Sequence, residues 1–186
     1  PPPHHSSAAS DVYKRQPRWR IEHSQVVDIN EFELYNEKIL PSIQPTHATS
    51  DMYWAYDRLG SRIKGAYAFK DLLNSSGRVA LGTDFPVEKV NPFHTFYSSV
   101  ERKDLNGYPE NGFQMENSLT REETLKGMTI WGAYFNFEEH EKGSLEVGKS
   151  ADFIVLNQNI MEVEADLIPM TEVIRTYIDG ELVYSK

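Results

Sequence analysis

No cysteine occurs in the sequence, so disulfides and thiolate metal sites are excluded. That absence leaves the compartment open, because cytosolic and periplasmic proteins both occur without cysteine. Basic charge is also scarce: 19 Lys and Arg stand against 28 Asp and Glu, for a net charge of -9 at pH 7. No basic patch is available to displace phosphate counterions, which argues against a nucleic-acid partner. No apolar run approaches the roughly 20 residues of a membrane-spanning helix, so no membrane partner is expected. No signal peptide is legible; the cytoplasm is the expected compartment, with the periplasm or export left open.

What is present is a chain of 186 residues, 39% hydrophobic and 12% aromatic. That suffices for one domain with a real core, or one domain and part of another. Residues 1–16 carry no apolar period, and Ser6 to Gln16 resembles a translated cloning junction. This stretch is expected to be a non-native or disordered leader, and His4 and His5 are given no native role. Strands and helices alternate over 17–140, and 141–186 reads as all-β.

Trp19 to Ser24 has the two-residue period of a short strand. Asp28 followed by Glu31 reads as a capping box, with Ile29, Phe32, Tyr35 and Ile39 at helical spacing and Pro41 as the stop. Ser42 to Pro45 reads as a second strand, and Asp51 to Arg58 as a short helix or loop. Gly65 to Ser75 is a helix closed by Gly77. Arg78 to Thr83 is the clearest strand, with Val79 and Leu81 on one face and Ala80, Gly82 and Asp84 on the other. Asn91-Pro92 opens a helix. Lys103 to Ser118 is a loop, and Thr120 with Glu123 caps a helix running to about Phe137. Phe153 to Leu156 reads as a buried strand, and Asp179-Gly180 as a two-residue hairpin turn.

Three polar residues follow strand-like runs: His23 after Arg20-Ile21-Glu22, His47 after Gln44-Pro45-Thr46, and Asp84 after Leu81-Gly82-Thr83. The ends of parallel strands are where an α/β barrel carries its catalytic groups. Imidazole nitrogen and carboxylate oxygen suit zinc and similar divalent ions. A carboxylate beside such an ion can accept a proton from water and pass it to a departing amine. Each residue also has a plainer reading: His23 and His47 as hydrogen-bonded structural histidines, and Asp84 as a turn residue bonding its own backbone. His94 reads as a packing or surface residue and His140 as solvent-facing. Tyr53, Trp54 and Tyr56 read first as packing and second as substrate contacts.

Four motifs narrow these alternatives: Ile21-Glu22-His23, Gln44-Pro45-Thr46-His47, Leu81-Gly82-Thr83-Asp84-Phe85-Pro86-Val87, and Gly143-Ser144-Leu145-Glu146-Val147-Gly148-Lys149-Ser150-Ala151-Asp152-Phe153. In this order they resemble the C-terminal half of the amidohydrolase superfamily, in the amidohydrolase-3 branch of N-substituted formamide deformylase and the YtcJ-like proteins. The resemblance implies a (β/α)8 barrel with a small β-sandwich. It implies His23 and His47 as metal ligands ending the fifth and sixth barrel strands. It makes Asp84 a ligand and the catalytic proton shuttle at the eighth. It implies one or two divalent ions in the intact protein, zinc foremost, and hydrolysis of an amide or formamide C–N bond in a small molecule by metal-activated water. Trp54 and Tyr56 are carried as substrate contacts.

The family's His-x-His pair of the first strand is missing, and a barrel takes about 250 residues. The expectation is therefore an α/β chain: the later half of a barrel over 17–140, about its fifth to eighth strands, with part of a β-sandwich over 141–186. Such a chain alone is expected to be weakly stable, with little activity and with association of copies open. Two alternatives stand beside it: a catalytically inactive binding module on the same scaffold, and a cyclic-amide hydrolase or aminoacylase of the same superfamily.

Overall fold

Two sheets of opposite strand geometry organise residues 17–186, which the computed structural model describes. The leader expected over 1–16 lies outside these residues. The first sheet is parallel, in the order β1 (Trp19–Ile21), β2 (Ile39–Ile43), β3 (Ala80–Leu81). Trp19 pairs with Ile39, and Ile43 with Leu81. Two helices connect β2 to β3: α1 (Pro45–Leu59) and α2 (Phe69–Ser76). A crossover of this kind is what parallel pairing requires.

The segment between β1 and β2 departs from the sequence reading. Residues 28–38 form turns and a single 3-10 turn at Phe32–Leu34, not a helix. Asp28 is used, but its carboxylate accepts the Asn30 N–H at 2.9 Å in a local turn, and Asn36 likewise accepts from Lys38 N–H at 2.8 Å. Side chains that satisfy their own backbone in this way compete with helix formation. Pro41 does not stop a helix; it lies inside β2, opposite Ile21.

Helix α1 starts earlier than expected, with Pro45 at its first position, and extends to Leu59. The chain therefore passes from β2 into α1 through Gln44 alone. Helix α2 closes as expected at Gly77, in the left-handed region at φ 73, whose N–H bonds the Leu73 carbonyl. Strand β3 keeps two residues of the longer run expected, and its faces divide as read. Val79 and Leu81 join Ile43, Leu72 and Phe69 in the core, under the helices. Ser42 on β2 and Gln44 just past its end, with Ala80 and Gly82 at β3, alternate to the other face.

Asn91 caps α3 (Pro92–Glu101), its side chain accepting from Phe93 N–H at 2.9 Å. The Thr120–Glu123 capping box opens α4 (Arg121–Met128), with bonds of 3.1 and 2.9 Å. The helix expected to run on to Phe137 breaks at Thr129, whose φ and ψ are -130° and -97°, and resumes as α5 (Ile130–Phe135). The second sheet is antiparallel, in the order β4 (Phe153–Leu156), β5 (Val173–Ile178), β6 (Glu181–Ser185). Asp179 and Gly180 turn β5 into β6 with φ of 49° and 79°, the paired positive values of a tight hairpin. Strand β4 is not buried as read: Ile154 and Val155 are exposed, Ile154 lining a cavity of about 750 Å³ between the sheet and Leu125, Met128 and Ala133 of α4 and α5. A second core, Phe93, Phe96 and Tyr97 on α3 with Ile160 and Ile168, joins the two halves. Each such burial contributes about 1.5–3 kcal/mol.

Candidate metal centre

The carboxyl ends of β1, β2 and β3 converge on one side of the parallel sheet, and His23, His47 and Asp84 meet there. One donor atom from each lies within 4.8 Å of the others. Among the described residues no other group of three His, Asp or Glu does so.

His23 follows β1 in the left-handed region, with φ of 66°, and Ser24 continues it at 40°. Non-glycine residues adopt such values at a cost, and stay there only where their surroundings dictate it. Here Ser24 Oγ donates to the Ile21 carbonyl at 3.1 Å and accepts from the buried Tyr35 hydroxyl at 3.1 Å. His47 occupies the first turn of α1, its N–H bonded to the Gln44 carbonyl at 3.0 Å. Its ring stacks on that of His23, with centroids 5.7 Å apart and planes 14° from parallel. Asp84 is also left-handed, at φ 58°, and its carbonyl receives Val87 N–H at 2.8 Å. The backbone thus turns sharply at two of the three donors.

Asp84 Oδ2 stands 4.0 Å from His23 Nδ1 and 3.3 Å from His47 Nε2. The shorter separation lacks the geometry of a hydrogen bond: His47 Nε2 is buried and has no hydrogen-bond partner. An unpaired buried polar atom costs about 1–3 kcal/mol. A divalent cation held by His23, His47 and Asp84 would relieve that cost, since two nitrogens and one oxygen are a donor set it accepts. The His23 side chain is about half exposed, so the cluster is open to solvent on that side.

The other residues singled out in the sequence fall elsewhere. Trp54 and Tyr56 project from α1 seven and nine residues past His47, roughly 10–13 Å along the helix axis. Both are exposed, Tyr56 meets Phe113 edge-on at 6.1 Å, and neither joins the three donors. Tyr53 hydrogen-bonds Asp104 and, with Thr46, Ser50, Lys89 and His94, lines a polar cavity of about 380 Å³. Burial and the nearby Lys89 charge hold the His94 imidazole below its ordinary pKa, so it favours the neutral form. His140 is exposed.

Two residues near the site were missed in the sequence. Gln44 ends β2 on the face away from the core, with its side-chain carbonyl buried and unpaired. It lay in plain view in Gln44-Pro45-Thr46-His47, but nothing local assigned it a role. Asp51 stands one helical turn beyond His47, and the i,i+4 spacing was the available signal.

The structure is an α/β chain whose parallel strands end in a His, His, Asp cluster, a donor set that a divalent cation accepts. The chain belongs to the amidohydrolase family, whose sequence profile matches residues 5–184. That match reaches back into 5–16, the stretch read as a leader. Three curated relatives are similar to it. Protein LONG AFTER FAR-RED 3 of Arabidopsis thaliana is 31% identical over 97% of this chain and 31% of its own length. Putative amidohydrolase YtcJ of Bacillus subtilis is 32% identical over 90% of this chain and 32% of its own length. N-substituted formamide deformylase of Arthrobacter pascens is 28% identical over 64% of this chain and 22% of its own length. Among solved structures, an uncharacterized metal-dependent hydrolase from Pyrococcus horikoshii OT3 superposes with a TM-score of 0.69 at 27% identity, over 86% of this chain and 33% of the other. The chain thus spans about a third or less of the length of each of these relatives.

Proposed function

We propose that this chain is the metal-holding later part of a (β/α)8 amidohydrolase that cleaves an amide or formamide C–N bond in a small molecule. The observation that carries the reading is the meeting of His23, His47 and Asp84, with His47 Nε2 buried and unpaired. Three parallel strands are fewer than the eight of a closed barrel, and the relatives are about three times as long or longer. The antiparallel β4-β5-β6 sheet then belongs to a β-sandwich beside the barrel.

In this reading His23, His47 and Asp84 hold a divalent ion, zinc being the one their nitrogens and oxygen suit best. When bound, such an ion would polarise a carbonyl and lower the pKa of water toward neutrality. The protein's own groups do the rest. The stacked imidazoles fix the donor geometry from two elements, β1 and α1. Asp84, with part of its carboxylate open to solvent, takes a proton from the attacking water and delivers it to the departing amine. The substrate approaches from the open side, next to His23.

The test compares wild type and Asp84→Asn in a complete amidohydrolase barrel carrying this segment, against a panel of N-formyl and N-acyl amines. Loss of the proton acceptor should lower kcat by about 10²–10⁴-fold. An unchanged kcat rejects the role given to Asp84. The 186-residue chain alone is expected to turn over little substrate.

A further inference from the structure

We propose that Asp51 is a positioning residue for the metal centre. Its carboxylate locks the loop that carries His23 against the helix that carries His47. This inference rests on the reading of His23, His47 and Asp84 as metal ligands.

His47 and Asp51 lie four residues apart on α1, and so on one face of it. Asp51 Oδ2 accepts two hydrogen bonds, from Gln25 Nε2 at 2.7 Å and from the Tyr67 hydroxyl at 2.7 Å. Gln25 Nε2 also lies 3.3 Å from the Tyr67 oxygen, which closes a triangle of three side chains. Gln25 stands two residues after His23, and the chain between them is the left-handed His23–Ser24 pair. The triangle therefore joins the His23 loop to the His47 face of α1 across 26 residues of sequence.

The backbone supports the same junction from the other side. Tyr67 N–H bonds the Gln25 carbonyl at 2.8 Å, and Val27 N–H bonds the Gly65 carbonyl at 2.9 Å. Tyr67 is buried with a positive φ of 54°, so the segment around it holds one fixed shape. Strand β1 cannot fix His23 by itself: it has three residues, all exposed. What sets the distance between the two imidazoles is thus the Gln25–Asp51–Tyr67 triangle. Bonds to an ionised carboxylate are short and strong, and Asp51 is the member common to both.

Groups that orient metal ligands from behind typically change metal affinity by 10–100-fold when removed. The experiment titrates the purified 186-residue chain with cobalt(II) and follows visible absorption, with thermal unfolding of the metal-free protein alongside. Asp51→Ala should bind cobalt about 10–100-fold more weakly and show an altered band shape. Tyr67→Phe should shift both in the same direction by less. Asp51→Ala leaves the buried Tyr67 hydroxyl without its acceptor and should also unfold at a lower temperature, whereas Tyr67→Phe, in which Asp51 keeps its Gln25 bond, should stay close to wild type. Wild-type affinity and spectrum in Asp51→Ala overturn the proposal. If Asp51→Ala does not fold, Asp51→Asn and Tyr67→Phe decide it, and wild-type cobalt binding in both overturns it. His47→Ala separates the two readings. If it binds cobalt as wild type does, the metal centre itself is rejected, and the positioning role falls with it. If His47→Ala loses cobalt while Asp51→Ala keeps it, only the positioning role is lost.

Discussion

His47 Nε2 faces Asp84 Oδ2 at 3.3 Å without forming a hydrogen bond with it. Two groups with lone pairs at this separation, one of them buried, are arranged for something between them. The expected consequence is selective. His47→Ala should abolish stoichiometric zinc uptake, whereas His94→Ala, on α3 outside the three donors, should leave it intact. Metal content after dialysis, by elemental analysis, checks both. Equal zinc in wild type and His47→Ala would count against the centre.

Arg102 presents a different problem, a fully buried guanidinium with no carboxylate bonded to it. Nε donates to the Phe113 carbonyl at 2.8 Å and Nη2 to Gln114 Oε1 at 3.1 Å, while Nη1 has no partner. The group also lies 4.8 Å from the Phe69 ring centre. Burial pushes its pKa down to about 9. The sign follows: the folded state holds this proton less tightly than the unfolded chain. The charge therefore opposes folding at all pH values below about 9, and that opposition fades as pH rises further. The side chain ties Phe113 and Gln114, at the far end of the 102–114 loop, to the buried end of α3. Arg102→Ala should destabilise by about 3 kcal/mol or more, through an emptied volume and two orphaned acceptors. Arg102→Lys should not restore the loss, since an ammonium lacks the planar fork. Urea unfolding at pH 7 measures both.

What was legible in the sequence was what neighbours in sequence decide. Thr120 with Glu123, Asn91 before Pro92, Gly77 after Ser76, and Asp179-Gly180 each carry their own stereochemical instruction, and each is obeyed. That His23, His47 and Asp84 would share one end of the sheet was legible because each follows a strand-like run. The helix expected from Asp28 failed because Asp28 and Asn36 bond their own backbone, which hydrophobic spacing does not register. The Gln25–Asp51–Tyr67 triangle was hidden for a different reason. Its members stand 26 and 16 residues apart, and only the paths of β1, α1 and the 65–67 segment bring them together.

Arg18 and Glu139 supply a test in acid. The Arg18 guanidinium makes two bonds to the Glu139 carboxylate, at 2.9 and 2.7 Å, and lies over the Tyr134 ring. Those bonds, set against a smaller opposing effect of burial, hold the Glu139 carboxyl below its ordinary value. A depressed carboxyl stabilises the fold at pH above its unfolded value, about 4.3. It gives up that contribution as pH falls through the folded value. Glu139→Gln should therefore flatten the fall in melting temperature below about pH 4.3 and leave a lower plateau near neutrality. Melting curves from pH 3 to 7 compare the two proteins; parallel curves would show that the pair contributes nothing.

The antiparallel sheet sets the last expectation, which concerns how copies of this chain behave together. Strands β4 and β6 are its edges, and both leave backbone groups free to pair with another strand. Every residue of β6 is exposed, including Leu182, Val183 and Tyr184, as are Ile178 on β5 and Ile154 on β4. Apolar edge strands of this kind pair with further strands unless charge or a covering element prevents it. The purified chain should therefore associate as its concentration rises, giving sedimentation coefficients that increase with loading. Leu182 pairs with Tyr177 and Tyr184 with Thr176 across a bulge, so Leu182→Lys with Tyr184→Lys places a charge on each face of β6 and should shift the distribution toward monomer. Because β6 belongs to the antiparallel sheet and His23, His47 and Asp84 follow strands of the parallel one, cobalt affinity per chain should not change. A wild-type chain that stays monomeric at every concentration, with the double variant indistinguishable from it, would show that this edge is self-sufficient.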